Sequence, residues 1–84
     1  MTYRITIKPT ARKELEALSD PALRRVDRAI TALASEPRPH GSIRVRGTSL
    51  YRIRAGEYRV LYQVDDRARV IDVVGVGHRR EIYR

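Results

Sequence analysis

The sequence predicts an α+β fold of two layers: an N-terminal strand, an antiparallel helical hairpin, then a three- to four-stranded antiparallel sheet. Three observations predict it. The chain opens on period-two alternation, two amphipathic helical stretches follow, and the second half is rich in β-branched and aromatic residues cut by short turn sequences.

Tyr3, Ile5 and Ile7 alternate with Arg4 and Thr6, the pattern of a half-buried strand. Pro9 suits a first helical turn, and Ala11, Leu15 and Leu18 follow at helical spacing. Ser19-Asp20-Pro21 then reads as a stop and a new start, with Asp20 as N-cap and Pro21 at the first helical position. The second helix carries Leu23, Val26, Ile30 and Leu33 on one stripe, with Arg24, Arg25 and Arg28 outside it. Pro37 disfavours helical geometry at Glu36, so this helix is expected to end near there, before the loop Arg38-Pro39-His40-Gly41. The short turn between the helices predicts an antiparallel hairpin.

Leu50 to Arg54, Tyr58 to Val64 and Arg69 to Val76 read as strands, with Ile43 to Arg46 as a lead-in strand. Ala55-Gly56 and Asp65-Asp66 are the expected turns, and turns this short imply antiparallel neighbours.

Composition narrows the function. The 84 residues suit one domain spanning 1–84, with a thin core. Eighteen Lys and Arg against ten Asp and Glu give a formal charge of +8, and only Lys8 and Lys13 are lysines. Guanidinium groups stay charged at any relevant pH and present a planar fork that matches phosphate oxygens, so a polyanionic partner is expected. There is no cysteine, and His40 and His78 cannot complete a structural zinc site, so neither metal nor cofactor is expected. No apolar run is long enough to span a bilayer and the N-terminus lacks a signal-peptide core, which points to the cytoplasm.

Strand parity suggests where chemistry sits. Arg52 and Arg54 point one way, and Arg59, Leu61 and Gln63 share a face of the next strand. If the Ala55-Gly56 turn pairs these strands, Arg52, Arg54 and Arg59 meet on the face the helices leave uncovered. A solvated face of surface arginines is the plain alternative. The tail Gly77-His78-Arg79-Arg80-Glu81-Ile82-Tyr83-Arg84 adds histidine, arginine and tyrosine, the groups that metal-free phosphodiester cleavage uses. Arg44, Arg46 and Arg80 are further candidates for holding substrate.

The run Leu50-Tyr51-Arg52-Ile53-Arg54-Ala55-Gly56-Glu57-Tyr58-Arg59-Val60-Leu61-Tyr62, followed by Val76-Gly77-His78-Arg79-Arg80-Glu81-Ile82-Tyr83-Arg84, resembles the RelE branch of the RelE/ParE toxin superfamily. The resemblance covers the whole chain. It implies the toxin of a type II toxin–antitoxin pair, held by a cognate antitoxin, that enters the ribosome and cuts mRNA in the A site. There the messenger's own 2′-hydroxyl attacks the adjacent phosphate. By position, Arg52 and Arg54 match the family's basic pair, Arg59 the arginine at the scissile phosphate, Arg79 the arginine after the Val-Gly strand end, and Tyr83 the terminal tyrosine. His78 falls at a position that is often basic in relatives. Some RelE toxins have lysines where this chain has Arg52 and Arg54. Arginine is a poor general base, so Arg52 is expected to act as an electrostatic clamp and proton transfer to fall to Tyr83 and His78. The alternative within the superfamily is a ParE-like toxin that poisons DNA gyrase without cutting RNA.

Overall fold

The structure, a computed structural model, describes residues 2–78. Its elements are β1 (Arg4–Ile7), α1 (Pro9–Glu16), α2 (Asp20–Ala32), β2 (Ile43–Arg44), β3 (Tyr51–Ala55), β4 (Tyr58–Asp65) and β5 (Val70–His78). They build a five-stranded sheet in the order β1-β5-β4-β3-β2. The three later pairings are antiparallel, as the short turns require. β1 departs from the expectation of a purely antiparallel sheet: it lies parallel to β5, pairing Arg4 with Val70 and Ile7 with Val73. The pairing joins the two ends of the described chain, and no local turn sequence encodes it.

Both helices cover one face. α1 packs on β5, and α2 packs on β3 and β4. Each helix therefore rests mainly on the sheet, and the expected hairpin is held together through the strands. The core is the meeting of Ala11, Leu15, Val26, Ile30 and Leu33 with Ile53, Ala55, Val60, Tyr62, Ile71, Val73 and Val76. Val60 and Tyr62 at the centre of β4 are 0% exposed. Each such side chain contributes about 1.5–3 kcal/mol through burial.

Two helix ends differ from the sequence reading. Ser19, not Asp20, is the N-cap of α2, with Pro21 in its first turn. The helix also stops at Ala32, ahead of the Pro37 boundary. Past that point the Ala34 carbonyl accepts the Tyr3 N–H at 2.8 Å, so this backbone turns toward the sheet edge instead of continuing the helix.

At this end of the molecule a polar clamp ties the helix layer to the strands. Arg38 forks onto Asp66, with Nη2 to Oδ2 at 2.9 Å and Nη1 to Oδ1 at 3.3 Å. Tyr3 donates its hydroxyl to Asp66 Oδ1 at 2.6 Å. Arg38 Nε donates to the Tyr51 hydroxyl at 3.1 Å, and its guanidinium lies 5.2 Å from the Tyr51 ring centroid. Tyr51 stacks on Tyr62 at 5.8 Å, and the buried Tyr62 hydroxyl donates to the Pro37 carbonyl at 2.8 Å.

The clamp sets two titrations. Hydrogen bonds from Arg38 and then Tyr3 hold the Asp66 carboxyl below its ordinary range. The hydrogen bond to Asp66 pushes the Tyr3 phenol above its own. A depressed carboxyl stabilises the fold above its unfolded pKa of about 3.9, and that contribution is lost as pH falls through the folded value. The raised phenol works in the other direction: its contribution is present below an unfolded pKa of about 10 and fades as pH rises through the folded value. Urea midpoints measured across pH should fall in acid, and Asp66→Asn should lower the midpoint at neutral pH while flattening the acid limb. An unchanged acid limb in that variant would show that the clamp does not set it.

Candidate nucleic-acid interface

The face opposite the helices is built by alternation. β3 and β4 meet through the two-residue loop Gly56-Glu57, with Ala55 paired to Tyr58. Gly56 takes φ +65° at the first loop position, the pattern of a type II′ turn, which suits the twist of a tight hairpin. The turn thus lies one residue later than Ala55-Gly56. The resulting register sets Arg54 directly across from Arg59, and Arg52 across from Leu61. Residues so paired share a face with Cβ atoms about 4.5–5.5 Å apart. Among the described residues, neither Arg54 nor Arg59 forms an ion pair with a carboxylate.

β5 completes this face through an irregularity. Tyr62 pairs with Val73, but Leu61 pairs with Gly75, so Val74 is an extra residue in β5. A bulge of one residue reverses the parity of everything beyond it. Without it, Val76 would stand beside Arg59. With it, Gly77 pairs with Arg59, Gly75 pairs with Leu61, and Val76 turns into the core at 1% exposed. Thus β5 brings no side chain to the arginine pair at these positions. Glu14 of α1 holds the arrangement: β1 ends opposite Val73, and beyond that edge the Val76 N–H donates to Glu14 Oε1 at 2.7 Å.

Register divides the predicted residues. Arg52, Arg54 and Arg59 are brought to one face. His78 is not in their row: it pairs with Tyr58 on the other parity of the strand. Its ring meets Tyr58 edge-on at 5.7 Å, and its Nε2 lies 3.8 Å from Glu57 Oε1. Arg44 pairs with Tyr51, which also places it on the opposite parity from Arg52, with Nε near the Thr48 carbonyl at 3.4 Å. Arg46 is exposed in the loop between β2 and β3, at the far end of β3 from the Gly56 turn. Arg79, Arg80 and Tyr83 lie outside the described residues.

Four contributing residues escaped the sequence reading. Glu14 had no visible signal, since its partner is a backbone group 62 positions away. Gly75 and Gly77 did carry one, because glycine inside a strand pattern marks a bulge or a close approach. Arg25 reaches from α2 over the hairpin turn, where a Cβ on Gly56 would lie 2.6 Å from its Nη1. This sets a further guanidinium beside the hairpin turn. Among the described residues no three His, Cys, Asp or Glu side chains gather as a metal site, and no helix is long and apolar enough to cross a membrane. The arrangement can hold an extended anion by electrostatic and forked hydrogen-bond contacts.

The chain and its fold have relatives among known proteins. The family profile described as ParE toxin of type II toxin-antitoxin system, parDE, matches residues 5–83. Toxin RelG of Mycobacterium tuberculosis is 34% identical over 86 aligned positions, covering 100% of this chain and 99% of its own. The RelE–RelB complex of the archaeon Pyrococcus horikoshii contains a chain with TM-score 0.84 and 34% identity, over 96% of this chain and 99% of that one. The toxin–antitoxin complex RelBE2 of M. tuberculosis matches with TM-score 0.84 and 28% identity, over 94% of this chain and 100% of that one.

The bulge gives a direct test. Glu14→Ala leaves the Val76 N–H without its charged acceptor and should cost about 1.5–3 kcal/mol in denaturant unfolding. The Val76 amide should then exchange faster with solvent, while Glu14→Gln retains most of the protection. Equal exchange in wild type and Glu14→Ala would contradict the role given to this contact.

Proposed function

Since the chain belongs to the RelE/ParE superfamily of type II toxin–antitoxin toxins, we propose that it is a RelE-type endoribonuclease that cuts mRNA in the ribosomal A site. The observation that carries the reading is the cross-strand pair Arg54 and Arg59 beside Gly77. Two like charges directly opposite each other destabilise a sheet, and a phosphate between them removes the repulsion.

In this mechanism the messenger's 2′-hydroxyl attacks the adjacent phosphorus. The 2′-oxygen–phosphorus bond forms as the bond to the 5′-oxygen breaks, leaving a cyclic phosphate and a free 5′-hydroxyl. Arg54 and Arg59 stabilise the charge that builds on the non-bridging oxygens, and Arg52 fixes the strand alongside. Arg79 is proposed to join them, and Tyr83 to take part in proton transfer. His78, beside Tyr58 and Glu57, is given no part in the proton transfer. No metal or cofactor enters the scheme.

The proposal includes a cognate antitoxin, ribosome and mRNA as partners and the cytoplasm as the compartment. Solved relatives in complex with their antitoxins support the first of these. A basic face of this kind suits an acidic or amphipathic antitoxin segment that covers it.

Gyrase poisoning is the second reading, favoured by the ParE description of the matching profile. Primer extension on translated messenger, run with and without ribosomes, separates the two. The nuclease reading expects cuts within codons that need ribosomes, and a loss of about 10²–10³-fold in Arg59→Ala. Intact messenger together with accumulating cleaved DNA would establish the gyrase reading instead.

A further inference from the structure

The open face is graded from one end to the other. At the Gly56 end is the row Arg54, Arg59 and Gly77. The next row along is Ile43, Arg52, Leu61 and Gly75, where Ile43 is 51% exposed and Leu61 half-buried. The third row is Gln63, Asp72 and Thr6, paired in register across β4, β5 and β1. Two cations come first, then a mixed row in which Arg52 stands between Ile43 and Leu61, then neutral or acidic hydrogen-bonding groups.

The third row opens into a shallow recess whose lining includes Thr6, Ser49, Gln63 and Asp72 and also the charged Asp65, Asp66 and Arg67. Its polar atoms are partly committed in a way that orients the rest. Gln63 Nε2 donates to Ser49 Oγ at 2.8 Å, which leaves the amide one N–H and its carbonyl oxygen. Asp72 accepts from Thr6 Oγ1 at 2.9 Å through Oδ1, and Oδ2 lies 3.3 Å from Lys8 Nζ. Each carboxylate oxygen keeps a further lone pair.

We propose that this recess is a nucleobase-reading subsite, which selects the base next to the phosphate held by Arg54 and Arg59 and favours bases with an exocyclic amine over uracil. The proposal rests on the nuclease reading. Arg59 and Gln63 are four residues apart on β4, about 13 Å, so the recess lies one nucleotide away from the arginine pair. Asp72 disfavours a second phosphate there and accepts well from an amino group. The Gln63 amide pairs a donor with an acceptor, the combination that reads adenine edge-on, and a carboxylate reads the amine of cytosine. Uracil offers a ring N–H between two carbonyl oxygens, so the Gln63 amide pairs with it as well, and the selection falls to the Asp72 carboxylate, which accepts from an amine and repels a carbonyl oxygen. Leu61, next to Gly75 and across from Arg52, offers a surface on which a base face can lie between the two sites. Single-stranded RNA exposes its base edges to such contacts.

The test is cut-site sequencing on a messenger library randomised around the cut, read as the ratio of cutting at amine-bearing bases to cutting at uracil. The wild type should discriminate about tenfold at one position, the effect of one good base-edge contact. Gln63→Ala, at an exposed position that should fold normally, should lower cutting while leaving the ratio within about twofold of the wild type. Asp72→Asn, which gains a donor, should shift it toward uracil. A wild-type ratio retained in Asp72→Asn would overturn the subsite while leaving the nuclease reading intact. A wild type that cuts no RNA would overturn both, and the two failures are told apart by the wild-type lane.

Discussion

One extra residue in β5 determines what stands beside the arginines. Val74 shifts the register between Tyr62 and Leu61, so the last part of β5 presents valine to the core and glycine to the open face. A strand without the shift would do the reverse: Gly75 and Gly77 would face the helices and Val76 would stand beside Arg59. The Glu14 carboxylate is what makes the shifted strand comfortable, because it accepts the Val76 N–H past the end of β1. Helix α1 thereby sets the shape of a surface on the far side of the sheet.

The arginines of this chain divide into two uses. Arg38 is engaged by Asp66 and Tyr51, and its charge is held in a structural clamp that joins the α2 exit to the loop after β4. Arg54 and Arg59 stand opposite each other without a carboxylate among the described residues. That pairing costs a few tenths to about 1 kcal/mol. Directly behind it, the buried Val60 and Tyr62 each contribute about 1.5–3 kcal/mol, so the sheet tolerates the repulsion. A local violation of good strand chemistry that the core readily outweighs is typical of a functional surface.

Much of this was legible in the sequence. The alternation in Tyr51–Ala55 and Tyr58–Asp65 is clean, and a tight turn at glycine fixes which residues face each other, so the arginine face followed from parity. The superfamily followed from the same segment. Other features were not accessible to local reading. The parallel pairing of β1 with β5 is encoded by shared burial and not by any turn, and Glu14 acts on a backbone atom. His78 was named for its chemistry within the tail, and nothing local showed that the bulge sets it on the other parity from Arg59. Two glycines within a valine-rich strand were the available warning. Arg44 was named as a substrate contact with no register behind it, and the pairing of β2 with β3 sets it across from Tyr51.

The central claim is that a phosphate sits between Arg54 and Arg59 on the face cleared by the bulge. NMR titration of the arginine Nε–H signals with a short 2′-O-methyl RNA, which cannot be cut, examines that contact itself. The account predicts shifted, solvent-protected Nε–H signals for Arg54 and Arg59 together with a shifted Gly77 amide. Shifts confined to Arg24, Arg25 and Arg28 on α2, with the sheet signals unmoved, would contradict it.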